Sequence, residues 1–459
     1  MKISIFGTGY VGLVTGASLA SLGHEVLCVD VDEAKIMMLN EGKMPFFEPG
    51  LQELVELNRS KRRLQFTTHI EEGVRFGEVV FNCVGTPENE DGSCDLTYVF
   101  SVAEMVGRYA TGYKVLINKS TVPPGTANRC MELIRSLNSG VVIDVVSNPE
   151  FLKQGNAVYD FNHPDKIVVG AKTSEAFHML QKVYHGLLKM YMPLLETDWE
   201  TAEMIKYANN SFLAMKISFI NEMANICDRV GADVTIVAKA IGMDSRIGPK
   251  FLNAGIGYGG SCFRKDVRAL IDTARSTGYR AYLLEETERL NERQKKMLVP
   301  QILEALRKVE GDTVTLWGLS FKPKTSDLRG ASALVLMEEL LCAGVGVKVY
   351  DPISVEDTRR LFGERVGLMY CTSLTDSVRE SNVIVLVTEW DEFRNVNFAE
   401  LGELMKTRIL FDGRNIYDAQ QVQEGGFTYY GLGRSSFGRE ENSFEEKNIG
   451  KKSLNKKVS

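Results

Sequence analysis

The sequence has few of the residues from which metal centres and disulfide frameworks are built. Its 459 residues include five histidines and eight cysteines, with no H-x-x-x-H, H-E-x-x-H or C-x-x-C pair among them. Metal sites built from paired ligands use such short spacings, so we expect no metal site. Cysteines without a disulfide-like pattern are typical of a reducing compartment.

Long apolar runs and a strong net charge are also missing. No apolar run is long enough to cross a bilayer, and the first apolar strand begins at residue 2, too early to follow a signal peptide. The formal net charge of −6 gives no reason to expect nucleic-acid binding, so an anionic ligand would need local basic residues. We therefore expect a cytoplasmic globular protein of about two to four domains, with neither a membrane nor a nucleic-acid partner.

A dinucleotide-binding signature stands at the start of the chain. An apolar strand leads into Gly7-Thr8-Gly9-Tyr10-Val11-Gly12, a helical pattern follows, and a second strand ends at Asp30. Gly7 permits a tight turn, Gly9 lets a pyrophosphate approach the backbone, and Gly12 lets the helix pack on the strand. This order of strand, glycines, helix and acidic residue predicts that the first domain binds a dinucleotide.

The acidic residue at the end of the second strand bears on which dinucleotide is bound. Asp30 would accept the ribose hydroxyls and repel a 2′-phosphate, which favours NAD over NADP. Asp32 is a second candidate for this role, and Lys35 keeps NADP in consideration.

Apolar runs separated by helical patterns predict the architecture. One series of such runs reaches residue 170, and a second begins near residue 312 without a G-x-G-x-x-G. Between them the pattern is helical, and its long helices could form a dimer interface or an intrachain core. We predict an α/β protein with two Rossmann-like doubly wound domains joined by a long-helix central domain. The predicted ranges are 1–196 for the dinucleotide domain, 197–298 for the central domain, 299–435 for the C-terminal domain and 436–459 for a polar, disordered tail.

Cys262 is the strongest candidate for a nucleophile. It follows Gly257, Gly259 and Gly260, whose missing side chains would let a bulky substrate approach the thiol. The basic residues that come next, Arg264 and Lys265, favour a thiolate. A nucleophile in a dinucleotide-binding protein suggests an oxidation that passes through a covalent adduct.

Lys206 and Asn210 form a polar pair on an otherwise apolar helical pattern. They lie four residues apart and therefore share one face of the helix. A fixed ammonium and a fixed amide could stabilise an alkoxide as hydride leaves it.

With these motifs the chain resembles the UDP-glucose dehydrogenases of the nucleotide-sugar dehydrogenase family, up to about residue 430. The motifs that carry the resemblance occur in the family's order and are Gly7-Thr8-Gly9-Tyr10-Val11-Gly12, Ser120-Thr121-Val122-Pro123, Asn148-Pro149-Glu150-Phe151-Leu152, Lys206-Tyr207-Ala208-Asn209-Asn210, Gly259-Gly260-Ser261-Cys262-Phe263-Arg264-Lys265-Asp266, Phe321-Lys322 and Asp412-Gly413-Arg414. The resemblance implies oxidation of a sugar C6 hydroxyl to a carboxylate with two NAD per turnover, and a dimer or higher homo-oligomer. Its substrate would be UDP-glucose, or else GDP-mannose or a UDP-N-acetylhexosamine.

The resemblance also implies roles for individual residues. The implied catalytic residues are Cys262 as nucleophile, Lys206 and Asn210 as oxyanion stabilisers, and Asp266, Thr121 and Glu150 as groups that position or activate water. The implied cofactor contacts are Gly7, Gly9, Tyr10, Val11, Gly12, Asp30, Lys35, Thr86, Thr121, Gln154, Lys265 and Arg329. The implied substrate contacts are Glu150, Phe151, Leu152, Lys153, Lys206, Asn210, Arg246, Phe251, Leu252, Asn253, Ala254, Gly255, Gly259, Phe321, Lys322 and Arg414.

One position departs from the family pattern, and two other functions compete. Family members commonly carry Glu where this chain has Gln154, and a neutral amide cannot act as a base although it can still form hydrogen bonds. A two-electron hydroxyacid dehydrogenase would use the same first domain, but no motif contains the histidine base it normally needs. A dinucleotide sensor without activity would have no use for Lys206, Cys262 and Asp266.

Overall fold

The computed structural model describes residues 1–138 and 140–434, so the predicted tail at 436–459 lies outside the described residues. The first domain alternates strands and helices. Its strands are β1 (Lys2–Phe6), β2 (Glu25–Val29), β3 (Leu64–Thr67), β4 (Val79–Asn82), β5 (Lys114–Asn118), β6 (Ile143–Ser147), β7 (Ile167–Gly170) and β8 (Leu194–Thr197). Its helices are α1 (Tyr10–Ser21), α2 (Glu33–Asn40), α3 (Leu51–Ser60), α4 (Ile70–Phe76), α5 (Thr97–Tyr109), α6 (Thr126–Leu137), α7 (Ala157–Asn162), α8 (Ser174–Val183) and α9 (His185–Leu188).

Helices make up the middle of the chain, and a second α/β unit follows. The middle helices are α10 (Trp199–Val230), α11 (Val234–Gly242), α12 (Phe263–Ser276), α13 (Tyr282–Lys296) and α14 (Val299–Lys308). The strands that follow are β9 (Thr313–Trp317), β10 (Gly346–Tyr350), β11 (Leu368–Tyr370), β12 (Val383–Leu386), β13 (Ile409–Asp412) and β14 (Thr428–Gly431). The helices among them are α15 (Ser332–Cys342), α16 (Val355–Phe362), α17 (Leu374–Val378), α18 (Asp391–Arg394), α19 (Phe398–Leu404) and α20 (Ala419–Glu424).

Both sheets have the strand order of a dinucleotide-binding fold. The first runs β3-β2-β1-β4-β5-β6 and continues into β7-β8, and the second runs β11-β10-β9-β12-β13-β14. In each sheet the order reverses beside the first strand, so the loops after β1 and β4, and after β9 and β12, border a crevice. The predicted fold class, two doubly wound domains with a helical region between them, is confirmed.

Two details of the sheets differ from the expectation of parallel sheets built from long apolar runs. β7 pairs antiparallel with β6, with Ser147 opposite Gly170. The edge strands β3, β8, β11 and β14 were not predicted. Their residues alternate between buried and exposed or are largely exposed, because an edge strand has fewer neighbours to cover it, and so they lack a continuous apolar run.

The long helix α10 connects the two units, and its ends follow the capping rules. The Asp198 side chain accepts the Thr201 N–H at 2.7 Å, and Gly231 terminates the helix with a φ of +75°. The predicted break near Pro300 is also present, since Pro300 stands in the first turn of α14, where a missing N–H costs no hydrogen bond. Among the described residues, no helix is long and apolar enough to cross a membrane.

A buried carboxylate joins α10 to the first domain. Glu203 Oε2 accepts the Gly125 N–H at 2.7 Å, and its Oε1 accepts the Ala127 N–H at 2.9 Å and the Ser147 hydroxyl at 2.9 Å. Burial raises the pKa of Glu203 to about 7, although these three donors act in the opposite direction. Glu203 therefore caps the first turn of α6 and fixes the part of α10 that carries Lys206, one turn further along.

We expect Glu203→Gln to lower the free energy of unfolding by about 2 kcal/mol, because its amide N–H₂ would face a backbone or hydroxyl donor in place of an acceptor oxygen. Urea denaturation monitored by tryptophan fluorescence measures the change. The control is Glu200→Gln, an exposed residue in the first turn of the same helix, which should stay within about 0.5 kcal/mol. Equal effects of the two substitutions would contradict the capping role.

Candidate active site

The loop after β1 has the shape that a dinucleotide requires. Gly7 has a φ of +93°, and its N–H donates to Val29 O at 2.8 Å. A Cβ on Gly12 would lie 1.8 Å from Gly7 O, so no larger residue fits there. A Cβ on Gly9 would meet no atom within 4 Å, so this backbone faces open space. A tight turn, a close helix contact and an open approach at the start of α1 fit a pyrophosphate.

Asp30 lies at the edge of the same loop. Its Oδ2 accepts the Thr8 N–H and the Thr8 hydroxyl, each at 2.7 Å, and pairs with Lys35 Nζ at 3.1 Å. Burial raises the pKa of Asp30, but these hydrogen bonds outweigh burial and leave the pKa below its usual value. Asp32 is exposed and accepts the Lys35 N–H at the start of α2. The geometry therefore favours Asp30 over Asp32, and Lys35 is engaged by the carboxylate.

Tyr10 and Val11, the remaining predicted residues of the loop, are half-buried in the first turn of α1. Tyr10 donates its hydroxyl to Glu48 Oε2 at 2.6 Å, and Glu48 also accepts the N–H groups of Gly155 and Ala157. Glu48 thus ties the dinucleotide loop to the segment after β6. We did not predict Glu48, although a carboxylate ahead of Pro49-Gly50 in a loop gives a weak signal.

Two buried pairs on one face of α10 form the centre of the site. Lys206 Nζ donates to Glu150 Oε1 at 2.9 Å, and Asn210 Nδ2 donates to Asp266 Oδ2 at 2.7 Å. All four side chains are buried. Burial lowers the pKa of Lys206, but Glu150 and Asp266 outweigh it and raise the pKa, so Lys206 is a fixed cation. The predicted shared face of Lys206 and Asn210 is confirmed.

The predicted cofactor residues Thr86 and Lys265 reach the same cluster. Lys265 Nζ donates to Asp266 Oδ1 at 2.7 Å and to the Thr86 hydroxyl at 3.4 Å. Burial lowers the pKa of Lys265, and Asp266 raises it by more. Thr121 is half-buried in the loop after β5. The loop that follows β4 therefore reaches the cluster, through Thr86, at the carboxyl edge of the first sheet.

The segment after Glu150 surrounds the ion pair. The ring of Phe151 lies 5.3 Å from Lys206 Nζ, the Leu152 N–H donates to Glu150 Oε2 at 2.5 Å, and Lys153 pairs with Asp160 at 3.1 Å. Phe151 and Leu152 are half-buried, and Lys153 is exposed. The short bond within the segment holds the carboxylate of Glu150 toward α10.

Cys262 directly precedes α12, and although the residue as a whole is exposed, its sulfur lies among surrounding protein atoms. Burial of the sulfur raises the pKa of the Cys262 thiol, and the nearby carboxylates of Glu150 and Asp266 raise it further. The cation of Lys206 lowers it. The net effect is upward, which acts against the predicted thiolate. The main reasons are burial of the sulfur and the nearby Glu150, while of the two basic neighbours Arg264 pairs with Glu288 at 3.4 Å and Lys265 pairs with Asp266.

The glycines before Cys262 also act differently from the prediction. A Cβ on Gly257 would meet Asn291 at 2.9 Å, one on Gly259 would meet Gly330 O at 2.5 Å, and one on Gly260 would meet the Phe321 ring at 2.7 Å. Their missing side chains therefore admit other parts of the protein. The loop packs between α13 and the segment after β9, and this packing places the thiol beside the C-terminal domain.

Three predicted substrate residues follow strands of the second sheet. Phe321 and Lys322 follow β9, with Lys322 Nζ 5.4 Å from the Phe321 ring, and burial lowers the pKa of Lys322. Arg414 follows β13 and donates to Val387 O at 2.6 Å and to Gly257 O at 3.5 Å. Lys322 and Arg414 thus flank the glycine loop that carries Cys262, where they can meet an anionic ligand, although Arg414 is also paired with Glu389 at 3.3 Å.

The predicted loop at 251–255 lies beside Arg414, whereas Arg246 does not approach the cluster. Leu252, Ala254 and Gly255 are buried, Phe251 is half-buried and Asn253 is exposed. The Gly255 N–H donates to Asn221 Oδ1 at 2.8 Å, and a Cβ on Gly255 would lie 3.1 Å from Arg414. The guanidinium of Arg246 pairs with Asp244 at the surface, with 87% of the Arg246 side chain exposed.

A buried lysine that we did not predict as a site residue stands behind the cluster. Lys119 Nζ donates to Asn148 Oδ1 at 3.1 Å and to the Tyr184 hydroxyl oxygen at 3.3 Å. Burial lowers the pKa of Lys119 to about 8. Lys119 and Asn148 stand two residues before Thr121 and Glu150, so their contact joins the two loops that reach the site. The only sign of Lys119 in the sequence was its position at the end of an apolar strand.

Comparisons with known proteins agree with this arrangement. Residues 1–188 match the NAD binding domain, 200–293 the central domain and 315–419 the UDP binding domain of the UDP-glucose/GDP-mannose dehydrogenase family. The chain is 44% identical over 438 residues to the UDP-glucose 6-dehydrogenase of Rhizobium meliloti, covering 95% of this chain and 100% of that protein. It is 42% identical over 434 residues to the UDP-glucose 6-dehydrogenase TuaD of Bacillus subtilis, covering 94% and 93%.

A solved structure extends the likeness to the fold. The UDP-glucose dehydrogenase of the archaeon Pyrobaculum islandicum is 34% identical, superposes with a TM-score of 0.87 and covers 95% of this chain and 98% of that one. The family description agrees with the glycine turn after β1 and supports NAD as the cofactor. The chain therefore belongs to the UDP-glucose/GDP-mannose dehydrogenase family of NAD-dependent oxidoreductases.

Proposed function

We propose that the protein oxidises UDP-glucose to UDP-glucuronate with two NAD per turnover, through a covalent intermediate on Cys262. The observation that carries the proposal is the convergence of a buried lysine and a buried asparagine on α10, two buried carboxylates and the thiol of Cys262, beside a dinucleotide turn. A simple alcohol dehydrogenation needs no thiol. A four-electron oxidation does, because the aldehyde has to be held between two hydride transfers.

The first oxidation removes hydride from C6 of the sugar. When bound, NAD accepts that hydride. The hydroxyl proton passes to water as the alkoxide forms, and Lys206 and Asn210 stabilise the negative oxygen. Glu150 and Asp266 keep these two donors in place before the substrate arrives, so no reorganisation is needed during the reaction.

The second oxidation requires the thiol. Cys262 Sγ bonds to the aldehyde carbon while the sulfur proton passes to the aldehyde oxygen, giving a thiohemiacetal. Loss of a second hydride from that carbon, with loss of the hydroxyl proton, gives a thioester. Water then breaks the carbon–sulfur bond, the carboxylate leaves and the thiol is regenerated. Asp266, Thr121 and Glu150 would position that water.

The raised pKa of Cys262 fits this sequence. A protonated thiol supplies the proton that the aldehyde oxygen takes up, and Lys206, which lowers that pKa, is the group that stabilises the oxygen. The same cation therefore assists both the alkoxide and the thiohemiacetal.

The C-terminal domain would bind the nucleotide part of the substrate. Lys322 and Arg414 provide positive charge for a diphosphate, and the loop at 251–255 lies against Arg414. The relatives at 42–44% identity are named UDP-glucose 6-dehydrogenases, while a UDP-N-acetylmannosamine dehydrogenase of Pyrococcus horikoshii is only 28% identical. We therefore place UDP-glucose ahead of GDP-mannose and the UDP-N-acetylhexosamines.

A substrate panel tests the proposed specificity. The purified protein should reduce two NAD for each UDP-glucose consumed, with a kcat/KM well above that for GDP-mannose, UDP-N-acetylglucosamine and UDP-N-acetylmannosamine. One NADH per sugar would exclude the four-electron reaction, and a preference for another nucleotide-sugar would reassign the substrate.

We also propose that α10 mediates dimerisation. Three apolar residues of α10 lie seven positions apart, which is close to two helical turns: Phe212, Phe219 and Ile226. Their relative exposures are 58%, 47% and 47%. A stripe of large apolar side chains on a long helix is costly to leave in water. The same stripe on a second copy provides a self-complementary partner across a two-fold axis.

The first prediction of this proposal concerns cofactor choice. Asp30→Ala should raise the Kd for NAD, because the ribose hydroxyls lose their acceptor. The ratio of the Kd for NADP to the Kd for NAD should therefore become smaller. Titration of protein fluorescence with each cofactor measures the two constants. The control is Asp32→Ala, which removes the neighbouring exposed carboxylate, and an unchanged preference in Asp30→Ala would remove that residue from cofactor recognition.

The second prediction concerns the thiol. Cys262→Ala should reduce net conversion to UDP-glucuronate by several orders of magnitude, and any residual turnover should yield about one NADH per sugar, because the first hydride transfer does not use sulfur. Absorbance of NADH and chromatography of the sugars give the ratio. Cys342→Ala, at an exposed cysteine of the C-terminal domain, should behave like the unmodified protein. A normal ratio at a near-normal rate in Cys262→Ala would exclude the covalent mechanism.

The third prediction concerns assembly. Phe219→Glu should convert a dimer into a monomer, because two copies of the new carboxylate would face an apolar surface. Sedimentation velocity at micromolar protein concentration gives the mass in solution. Leu361→Glu, which changes an exposed apolar residue of α16, serves as the matched control. An unchanged dimer in Phe219→Glu would place the interface elsewhere, and a monomeric unmodified protein would remove the proposal.

A further inference from the structure

Gln154 makes a contact that crosses the cleft between the first and the C-terminal domains. It lies in the loop after Glu150, and its Nε2 donates to Asp327 Oδ2 at 3.2 Å, in the segment that follows β9. The adjacent Gly155 packs on the same segment, since a Cβ there would lie 3.0 Å from Lys324. The Gly155 N–H donates to Glu48 at 2.7 Å, which anchors the loop to the first domain.

The acceptor in this contact already holds an arginine. Arg329 donates to Asp327 through Nε at 2.8 Å and through Nη2 at 2.6 Å, a bidentate arrangement. Burial raises the pKa of Asp327, but Arg329 outweighs it and leaves the pKa below its usual value. Asp327 is therefore an anion near neutral pH. Its oxygens can accept another hydrogen bond, so the residue that faces them has to be a hydrogen-bond donor.

Arg329 stands where three parts of the protein meet. Its carbonyl accepts the N–H of Gly260, two residues before Cys262. Its guanidinium is largely exposed, with 66% of the side chain accessible, while the Asp327 side chain is only 8% accessible. The carboxylate thus fixes the direction of an otherwise solvent-facing cation.

We propose that Gln154 is a positioning residue that couples the contact between the two domains to the direction of Arg329, and through it to NAD affinity. The proposal rests on the proposed function and on the NAD contact that the family resemblance implies for Arg329. When the loop of the first domain seats against the C-terminal domain, the Gln154 amide completes the shell of Asp327 and holds the Asp327–Arg329 pair toward the dinucleotide cleft.

The amide is the feature that matters at this position. A glutamate, which the family commonly carries here, would place a second carboxylate next to Asp327, and like charges at this distance repel each other. A neutral amide donates instead. Glutamine in place of the family's glutamate at position 154 therefore gives Asp327 a hydrogen-bond donor.

The experiment compares Gln154→Glu with the unmodified protein by isothermal titration of NAD, without substrate, at pH 8 and pH 5. At pH 8 the new carboxylate should raise the Kd for NAD by about tenfold, within the range of a lost hydrogen bond to a charged group. The neighbouring anion raises the pKa of the new glutamate, and its protonated form can donate to Asp327, so the increase in the Kd should be smaller at pH 5 than at pH 8. Hydrogen exchange of residues 150–157 and 324–332 in the ligand-free protein should be faster in Gln154→Glu at pH 8.

A second background separates a specific contact from a general disturbance. In Asp327→Asn the anion is absent, so adding Gln154→Glu should no longer raise the Kd relative to Asp327→Asn alone. The matched control is Gln181→Glu, because Gln181 donates to Glu196 at 2.8 Å on the exposed surface of the first domain. It should leave the Kd for NAD unchanged.

Three outcomes would overturn the inference: no increase of the Kd in Gln154→Glu at pH 8, an increase that is the same at pH 5, or an equal increase in the Asp327→Asn background. Thermal unfolding of every variant identifies loss of folding. A failure of the proposed reaction would look different, because UDP-glucose would not be oxidised while the Kd for NAD would still respond to the Gln154 and Asp327 substitutions.

Discussion

The buried ion pair between Lys206 and Glu150 is the contact on which the site depends. A carboxylate beside a buried lysine stabilises its charge, and a buried carboxylate needs donors in turn. Lys206 belongs to α10 and Glu150 to the loop after β6, so the pair joins the helical middle of the chain to the first sheet. Its 2.9 Å distance therefore sets how closely the two can approach, and with that the space left for a substrate.

The other polar contacts of α10 support the same geometry. Glu203, one turn before Lys206, caps α6, and Asn210, one turn after it, holds Asp266 on α12. Three residues on one face of a helix thus bind three separate elements. A helix fixed at these points moves little when a substrate binds, which is the preorganisation that stabilisation of an oxyanion requires.

Much of the fold and part of the site could be predicted from the sequence, for local reasons. The glycine turn, the capped helix α10 and the shared face of Lys206 and Asn210 depend on residues a few positions apart, where periodicity and spacing suffice. Glu48, Lys119 and Asp327 were missed because their partners are brought to them only by folding. The surroundings of Cys262 could not be predicted for a related reason, because folding buries the sulfur and brings Glu150 near it, while Arg264 and Lys265 pair with Glu288 and Asp266.

The two sheets share a strand order but use the loop after their first strand differently. Gly318 repeats Gly7, with a φ of +93° and its N–H donating to the end of the next strand at 2.8 Å. In the first domain Asp30 accepts from Thr8 and leaves the backbone at Gly9 facing open space. In the second, the corresponding carboxylate of Asp351 is buried and accepts the N–H groups of both Leu319 and Ser320.

That difference decides what each loop can bind. Backbone N–H groups cradle a pyrophosphate only when they are free, and those of Leu319 and Ser320 are consumed within the protein. The C-terminal domain therefore has to recognise a phosphorylated ligand through side chains. Lys322 follows directly after this loop, and Arg414 lies beside it after β13, on the edge of the sheet that faces Cys262. The same loop geometry thus serves a cofactor through its backbone in the first domain and leaves the second to hold its ligand by charge.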